Sequence, residues 1–371
     1  MIKVFTVFGT RPEAIKMAPL VKELEKTEGI ESRVCVTAQH RQMLDQVLEI
    51  FGIVPDFDLD IMRERQTLSG ITKRALEGLC EIFEKEKPDI VLVHGDTTTT
   101  FAGALAAFYS GTKVGHVEAG LRTFDKWSPF PEEMNRRMTG VLSDIHFSPT
   151  TKNRDNLLRE GVPEDKIVIT GNTVIDALKT TVKENYQFSD PVLKNMPWNE
   201  KRVVLMTAHR RENLGEPLYN IMRAVRRIAT EFEDVEVVYP VHLNPAVQSV
   251  AKEVLGDMEN VHLIAPLDVA ELHNAMAVSY MILTDSGGLQ EEAPSLGKPV
   301  LVLRTETERP EAVEAGTVKV VGVLEEDIYA ASKMLLTDKA EYDKMAKAVN
   351  PYGDGHASER IVKSILEHFS K

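Results

Sequence analysis

Short apolar runs alternate with longer amphipathic stretches along the first half of the chain. The short runs are typical of strands buried on both faces of a parallel sheet. They cover Ile2–Phe8, Arg33–Thr37, Ile90–His94, Val114–Val117, Ile145–Phe147 and Ile167–Ile169. The stretches between them predict helices, for example over Ala14–Glu25, Gln42–Phe51 and Ser69–Glu84.

The alternation stops over Lys179–Glu200, a polar stretch that we interpret as a linker, and then restarts. The second set of strand-like runs covers Val203–Thr207, Val235–Tyr239, Val261–Ile264, Met281–Thr284, Val300–Leu303 and Val318–Val321. This pattern predicts an α/β protein with two Rossmann-like, doubly wound parallel-sheet domains, over residues 1–175 and 176–355. If the two domains face one another, the carboxyl ends of their strands open into one central cleft. The last helix, about Ala357–Phe369, either finishes the second domain or crosses back onto the first.

Composition supports this organisation and excludes several partners. A chain of 371 residues is long for one core and suits two α/β domains. Its 44 Lys and Arg against 57 Asp and Glu give a net charge of −13, which argues against nucleic acid or an anionic membrane as partner. Cys35 and Cys80 give no disulfide framework and fit a reducing compartment. Without a membrane-length apolar run, and with Arg11 and Glu13 too early for a signal peptide, we expect a cytoplasmic protein.

The most informative motif follows the strand-like run Met281–Thr284. Residues 286–288, Ser-Gly-Gly, present bare backbone N–H groups where a helix begins, and such a turn binds anions. Glu291 and Glu292 lie one turn further on, where carboxylates accept hydrogen bonds from hydroxyl groups. The combination suits a nucleotide diphosphate that carries a ribose. An ordinary strand–turn–helix with a glycine-rich bend is the alternative.

A second anion-binding segment follows the first strand, which enters Gly-Thr-Arg-Pro-Glu at residues 9–13. The later strand that ends at Thr207 enters the similar Ala-His-Arg-Arg-Glu. Capping-box spacing explains Thr10 and Glu13. It does not explain Arg11, because a cation near a helix N-terminus is electrostatically unfavourable. Arg11 and Lys16 therefore favour a bound diphosphate over a plain capped helix.

Three carboxylates, Asp96, Glu118 and Glu132, are predicted at loop ends of the first sheet. Asp96 precedes the run Thr97–Thr100, which makes poor helix interior and favours a strand-to-helix turn. Glu132 and Arg136 form an i, i+4 pair on a predicted helix, and an exposed ion pair of little energetic value is the alternative. Crowded carboxylates raise one another's pKa, which would make acid–base pairs usable near neutrality.

Other cofactor classes find no support in the sequence. No Gly-x-Gly-x-x-Gly follows a strand, and Gly297-Lys298 is followed by proline, so neither a dinucleotide fingerprint nor a nucleoside-triphosphatase phosphate loop is present. The ten histidines show no spacing that builds a zinc site. We therefore expect neither a metal nor an organic cofactor.

A series of long motifs resembles one family, the non-hydrolysing UDP-N-acetylglucosamine (UDP-GlcNAc) 2-epimerases of bacteria, from Ile2 to His356. The motifs lie at residues 8–19, 37–41, 94–97, 115–122, 131–133, 135–136, 171–176, 209–212, 240–245, 285–288 and 308–311. The resemblance implies two Rossmann-like domains arranged as in GT-B glycosyltransferases, with the C-terminal helix, about 356–371, packed on the N-terminal domain. It implies interconversion of UDP-GlcNAc and UDP-ManNAc for cell-envelope polysaccharide. It also implies a homodimer without metal or nicotinamide.

The resemblance also assigns roles to individual residues. The diphosphate would be held by Arg11, His209, Ser286, Gly287 and Gly288, and the ribose by Glu292. The sugar and diphosphate would be lined by Lys16, Asp96, Glu118, Glu132, Arg136 and Arg309. Asp96, Glu118 and Glu132 are the proton-transfer candidates, and His209 is either a charged phosphate ligand or a proton-transfer group. Leu267 and Leu272 fall where the family contacts uracil, Leu267 through its backbone.

A regulatory site is implied as well, because bacterial members are activated by UDP-GlcNAc bound beside the catalytic site. The matching positions are Gln39, Gln42, Arg65, Arg210 and His242. Two other classes stay open, a hydrolysing epimerase that releases free ManNAc and a GT-B glycosyltransferase. A sugar-nucleotide binding protein without catalysis is a third. The carboxylates favour proton chemistry, because a transferase needs no base at carbon 2 of the sugar.

Overall fold

Two units make up the chain, which is described over residues 1–39 and 41–370 by a computed structural model. The first unit comprises Met1–Thr180 together with residues 352–370, and the second comprises Thr181–Pro351. The division falls a few residues after the expected 175/176 boundary because helix Thr173–Thr181 contributes a side chain that holds the C-terminal helix.

The first unit contains a parallel sheet of seven strands in its described residues. The strands are β1 (Ile2–Phe8), β2 (Ile30–Val36), β3 (Phe57–Asp58), β4 (Ile90–His94), β5 (Lys113–Val117), β6 (Ile145–Ser148) and β7 (Ile167–Ile169). Their order across the sheet is β3-β2-β1-β4-β5-β6-β7. The flanking helices are α1 (Arg11–Lys26), α2 (Arg41–Phe51), α3 (Leu68–Glu86), α4 (Thr98–Tyr109), α5 (Glu132–Leu142), α6 (Thr151–Arg159) and α7 (Thr173–Thr181).

The second unit repeats the same layout with six strands in one parallel sheet. After helix α8 (Pro191–Asn195) come strands β8 (Arg202–Thr207), β9 (Val235–Pro240), β10 (Val261–Ile264), β11 (Met281–Thr284), β12 (Val300–Val302) and β13 (Val318–Val320). Their order is β10-β9-β8-β11-β12-β13. The remaining helices are α9 (Glu216–Glu231), α10 (Pro245–Leu255), α11 (Val269–Val278), α12 (Gly287–Ser295), α13 (Pro310–Glu314), α14 (Glu325–Thr337) and α15 (Lys339–Ala346).

The C-terminal helix α16 (Ala357–Phe369) belongs to the first unit, where it packs on α1. Its first turn is held by Asp176 of α7, whose carboxylate accepts the N–H of Ala357 at 3.1 Å and that of Ser358 at 2.8 Å. These are N–H groups that a helix cannot satisfy by itself. The chain therefore returns to the first unit through a specific cap.

Each sheet reverses its strand order at one point, between β1 and β4 in the first unit and between β8 and β11 in the second. In doubly wound sheets the loops on the two sides of this point form the ligand crevice. The prediction of two Rossmann-like parallel-sheet domains is confirmed. The strands read as nearly continuous apolar runs because helices cover both faces, and Phe5, Val7, Leu205 and Leu283 are almost wholly inaccessible to solvent.

Strand β3 was not predicted, because its two residues leave no apolar pattern in the sequence. The strand-to-helix turn expected at Asp96 is present, with Thr97 as the N-cap of α4 and Thr98, Thr99 and Thr100 in its first turn. The stretch predicted to be a linker is fixed within the second unit by side chains of α11, since the N–H of Lys183 donates to Asn274 at 2.9 Å. No helix in the described part of the chain has the length and apolar character needed to cross a membrane.

Candidate active site

The loop after β1 is tied to the loop after β4 by the carboxylate of Glu13, which is 2% exposed. Its Oε2 accepts the backbone N–H of Gly9 at 3.1 Å and of Thr10 at 2.9 Å. Its Oε1 accepts the hydroxyl of Thr97 at 2.8 Å and that of Thr100 at 3.2 Å. Burial raises the pKa of Glu13, and the hydrogen bonds oppose that rise. Glu13 therefore does more than cap α1, because it fixes two loops at the reversal point of the sheet.

A cavity of about 420 Å³ opens between these two loops within the first unit. Arg11, Gln39, Asp96 and Glu132 all contribute to its wall. Arg11 is the first residue of α1, and no carboxylate in the described part of the chain pairs with it. Burial lowers the pKa of its guanidinium, which nevertheless stays charged. The cavity thus combines an available cation with two carboxylates.

Asp96 is held by Arg136, which reaches it from α5 in a close ion pair. The same guanidinium donates to Glu133 at 3.2 Å, and Asn135 donates to the backbone oxygen of Asp96 at 2.9 Å. Arg136 is buried, and its expected i, i+4 partner Glu132 instead lines the cavity. The alternative of an exposed Glu132–Arg136 ion pair is therefore excluded, because Arg136 is buried and pairs with Asp96 and Glu133.

Glu118 follows β5 in a left-handed backbone conformation, with φ +62°, that turns it back towards Gly95. Lys16 of α1 forms a close ion pair with its carboxylate, Asn172 donates to it at 3.0 Å, and His94 Nε2 lies 3.5 Å away. Burial alone would raise the pKa of Glu118, but Lys16 and then His94 outweigh it and hold that pKa well below its usual range. The expectation that crowded carboxylates raise one another's pKa is wrong for Glu118, because it has its own cation.

The corresponding loops of the second unit are joined by Asp285, which follows β11 and is wholly buried. Its Oδ2 accepts the N–H of His209 and the N–H of Arg210, each at 2.8 Å, and the side-chain amide of Asn213 at 3.1 Å. The loop after β8 is therefore fixed to the end of β11 by one carboxylate. Asp285 has the same role at this reversal point that Glu13 has in the first unit.

His209 lies at the surface of this loop with its side chain 38% exposed. Its ring stacks on that of His242, with the ring centroids 5.2 Å apart and the planes 8° from parallel. Burial lowers the pKa of His209, Asp285 opposes that shift, and His242 and Arg210 add to it. Burial is the largest of these effects and lowers the pKa of His209 below its ordinary value, which favours the neutral ring at neutral pH in the ligand-free chain.

Helix α12 begins at Gly287 in the Ser-Gly-Gly turn, with Ser286 as its N-cap. A Cβ placed on Gly287 would lie 3.8 Å from a guanidinium nitrogen of Arg210 and of Arg309. A Cβ on Gly288 would come within 3.0 Å of the Glu292 carboxylate. The two glycines thus leave room for an anion between bare N–H groups and two arginines, an arrangement that favours phosphate.

The two carboxylates of α12 have different environments. Glu291 is buried and forms a close ion pair with Arg309, so it orients that guanidinium. Glu292 Oε2 lies 3.2 Å from His273 Nε2, and the other ring nitrogen of His273 is 2.6 Å from the hydroxyl of Thr181. Glu292 is therefore positioned near the turn while Glu291 positions Arg309.

The remaining expected positions divide between the two units. Leu272 lies on α11 next to His273, and Leu267 lies in the loop before α11; both are half-buried. Arg65 is exposed with φ +51°, and the neighbouring Gln66 donates to the backbone oxygen of Gln39 at 3.1 Å. The side chain of Gln42 lies outside the described residues.

Several residues that build the site escaped the sequence reasoning. Glu13 was seen only as a cap, and Asp285 only as part of a motif. Their roles could have been inferred from their position, because each carboxylate lies close after the end of a strand at which the strand order of its sheet reverses. His94 and Glu133 lie within motifs but were assigned no role, and His273 gave no signal, because its contacts with Thr181 and Glu292 join segments distant in the chain.

Comparisons with known proteins agree with this geometry. The family model described as UDP-N-acetylglucosamine 2-epimerase matches residues 22–366. A Bacillus subtilis protein named UDP-N-acetylglucosamine 2-epimerase is 65% identical over 368 residues, covering 99% of this chain and 96% of that protein. A Neisseria meningitidis UDP-GlcNAc 2-epimerase, solved with UDP-GlcNAc bound, is 51% identical with a TM-score of 0.88 and covers 99% of this chain and 100% of that one. The UDP complex of S. aureus MnaA is 55% identical, also with a TM-score of 0.88, and covers 100% and 97%.

We predict that Lys16→Met destabilises the chain in a pH-dependent way. In the wild type the depressed pKa of Glu118 means that its contribution to stability is present above the unfolded pKa and is lost as the pH falls through the folded pKa. Without Lys16, burial raises that pKa, so stability is lost as the pH rises through it. Urea unfolding between pH 4.5 and 8 should show a deficit that grows with pH to about 3 kcal/mol.

Lys22→Met is the matched control, because Lys22 pairs with the exposed Glu25 on the same helix. It should cost less than about 1 kcal/mol at every pH. Parallel pH profiles for Lys16→Met and the wild type would show that Lys16 does not set the pKa of Glu118.

Proposed function

The chain belongs to the UDP-N-acetylglucosamine 2-epimerase family, and we propose that it inverts carbon 2 of UDP-GlcNAc to give UDP-ManNAc without hydrolysis. The observation that carries the proposal is the cavity in which Asp96 and Glu132 face the same space as Arg11. Acid–base groups beside an available cation suit a reaction that moves a proton next to a departing diphosphate. The ligands of two relatives, UDP-GlcNAc and UDP, support a UDP-sugar as substrate.

Elimination followed by addition makes the chemistry feasible. The proton on carbon 2 has no neighbouring carbonyl and is too weakly acidic for simple removal. When the bond from carbon 1 to the diphosphate oxygen breaks, the oxygen takes the electron pair and carbon 1 becomes electron-poor. A base then removes the proton from carbon 2, and the products are 2-acetamidoglucal and UDP. Addition of UDP to carbon 1, with a proton delivered to the opposite face of carbon 2, gives the epimer.

The second unit would hold the leaving group. The backbone N–H groups at Gly287 and Gly288 and the guanidinium group of Arg309 would stabilise the negative charge that develops on the diphosphate. Glu292 would accept a hydrogen bond from a ribose hydroxyl. Leu267 and Leu272 would contact the uracil ring, Leu267 through its backbone.

The carboxylates of the first unit would transfer the proton. Asp96 and Glu132 line the cavity, and Asp96 is oriented by Arg136. Glu118 has a depressed pKa and is ionised at neutral pH, so in the ligand-free chain it is able to accept a proton but not to donate one. Lys16 keeps Glu118 ionised. A ligand that changes the contact between Lys16 and Glu118 would change the basicity of the Glu118 carboxylate.

We further propose that the protein is cytoplasmic and supplies UDP-ManNAc for cell-envelope polysaccharide. Cys35 and Cys80 are both free, and burial raises the pKa of each thiol, so neither is a ready thiolate.

We also propose that the protein is a homodimer. Sedimentation velocity at micromolar concentration should give about twice the chain mass. A single species at 41.5 kDa would contradict the dimer.

Solvent deuterium tests the proposed reaction. UDP-GlcNAc incubated with the protein in deuterated water should give UDP-GlcNAc and UDP-ManNAc that both carry deuterium at carbon 2, because the proton leaves and returns through exchangeable carboxylates. Proton NMR of the anomeric region and mass spectrometry read the outcome. Free ManNAc with UDP would identify a hydrolysing epimerase, and an undeuterated, unchanged sugar nucleotide would exclude both epimerases.

We predict that Asp96→Asn reduces kcat at least about a hundredfold, which is the usual contribution of a positioned acid–base group. The affinity for UDP, measured by calorimetry, should stay within about threefold of the wild type, since Asp96 is not itself a proposed diphosphate ligand. Asp125→Asn is the control, because Asp125 is exposed on the loop before α5. Near-normal turnover of Asp96→Asn would remove Asp96 from the mechanism.

Activation by the substrate is a further part of the proposal. Gln39 lines the same cavity as Arg11, and Arg210 and His242 lie beside His209. Together with Gln42 and Arg65, these residues would bind UDP-GlcNAc as a regulator. Pure UDP-ManNAc should then react slowly until traces of UDP-GlcNAc are added. Hyperbolic kinetics without a lag from pure UDP-ManNAc would argue against regulation.

A further inference from the structure

The carboxylate of Asp285 uses its two oxygens very differently. Oδ2 accepts hydrogen bonds from the backbone of His209, the backbone of Arg210 and the side chain of Asn213. Oδ1 is buried and has no hydrogen-bond partner among the described residues. A buried carboxylate oxygen without a hydrogen-bond donor costs free energy of folding. A donor close to Oδ1 is therefore stabilised when it turns towards that oxygen.

The imidazole of His209 is the group that lies beside this oxygen. His209 Nδ1 is 3.5 Å from Asp285 Oδ1. The backbone N–H of the same residue donates to Oδ2 at 2.8 Å, which keeps the main chain of His209 next to this carboxylate. A small rotation about the side-chain torsions closes the gap to a charge-assisted hydrogen bond of about 2.8 Å.

The protonation state of Nδ1 decides whether this contact is favourable. With a proton on Nδ1, the ring supplies the donor that Oδ1 lacks. Without it, the Nδ1 lone pair faces a carboxylate oxygen, and both would be unsatisfied. The hydrogen bond made by one ring nitrogen determines which tautomer a neutral histidine adopts.

We propose that Asp285 is a positioning residue that keeps the neutral ring of His209 in the tautomer protonated at Nδ1. Nε2 is then the basic nitrogen of a ring that remains 38% exposed and accessible to a ligand. Through the proposed function, on which this consequence rests, Nε2 would take a proton from solvent when the diphosphate binds. The resulting Nε2–H would donate to a diphosphate oxygen while Asp285 stabilises the imidazolium from the other side.

The charges around His209 fit this sequence of events. Asp285, at the end of β11, favours the protonated ring, whereas His242, after β9, and Arg210, on the same loop, oppose it. Burial also favours the neutral ring. The balance favours the neutral ring of His209 at rest, so a bound anion supplies the additional favourable charge that protonation needs. His209 thus acts as a phosphate ligand only after it has acted as a proton acceptor.

Nitrogen NMR of the ligand-free chain tests the proposal without any assumption about turnover. Two-bond proton–nitrogen correlation spectra of protein labelled with ¹⁵N-histidine distinguish protonated from unprotonated ring nitrogens. The His209 signals are identified by their loss in His209→Gln. At pH 8 the wild type should show a protonated Nδ1 and an unprotonated Nε2. A protonated Nε2 would overturn the proposal.

The variant Asp285→Asn should reverse the tautomer of His209. The three donors at the Oδ2 position require the amide oxygen there, so the amide NH₂ takes the Oδ1 position and donates to Nδ1. The tautomer should switch to Nε2–H, and the midpoint of the His209 titration should move to lower pH, because the favourable charge is lost. An analogous Asp→Asn change in serine proteases lowers kcat about 10⁴-fold through the wrong tautomer. An unchanged His209 spectrum in Asp285→Asn would contradict the proposal.

His242 is the internal control. Its Nδ1 accepts the N–H of Asn244 at 3.1 Å, so it should keep the Nε2–H tautomer in both proteins. If Asp285→Asn fails to fold, the wild-type spectrum alone still decides the tautomer. A confirmed tautomer in a chain that does not epimerise UDP-GlcNAc would reject the proposed function and leave the role of Asp285 intact.

Discussion

Buried carboxylates that accept consecutive backbone N–H groups at the ends of strands are the constraint on which the rest of the structure depends. Glu13 holds the N–H groups of Gly9 and Thr10, and Asp285 holds those of His209 and Arg210. Backbone N–H groups in tight loops need partners, and a charged acceptor is stronger than a neutral one. In each unit the carboxylate lies at the point where strand order reverses, so it fixes the loops that form the crevice.

Because the loops are fixed, charged side chains of both signs are held close together before a ligand binds. Arg136 pairs with Asp96 and Glu133, and Lys16 pairs with Glu118, whereas Arg11 has no such partner among the described residues. In the second unit Glu291 orients Arg309 without blocking the turn that it flanks. A site whose dipoles and charges are already oriented avoids reorganisation during the reaction. The cost of this arrangement is the unfavourable free energy of burying charged side chains.

The sequence was sufficient for every described strand except the two-residue β3 and for the loops that carry chemistry, because parallel strands leave apolar runs and their carboxyl ends share one edge. It was insufficient where a residue's role depends on a partner distant in the chain. The pKa of Glu118 depends on Lys16, and the role of Glu291 depends on Arg309. Capping spacing identified Glu13 correctly but could not reveal its bonds to Thr97, which lies 84 positions away.

Amide hydrogen exchange of the ligand-free protein tests most directly whether the buried carboxylates fix these loops before a ligand binds. The N–H groups of Gly9, Thr10, His209 and Arg210 lie in loops, yet each donates to a buried carboxylate. They should exchange at least about a thousandfold more slowly than amides of the exposed loop 62–65, which corresponds to a cost of about 4 kcal/mol for opening. Exchange of all four amides at the rate of that exposed loop would mean that the carboxylates do not hold the loops before a ligand binds.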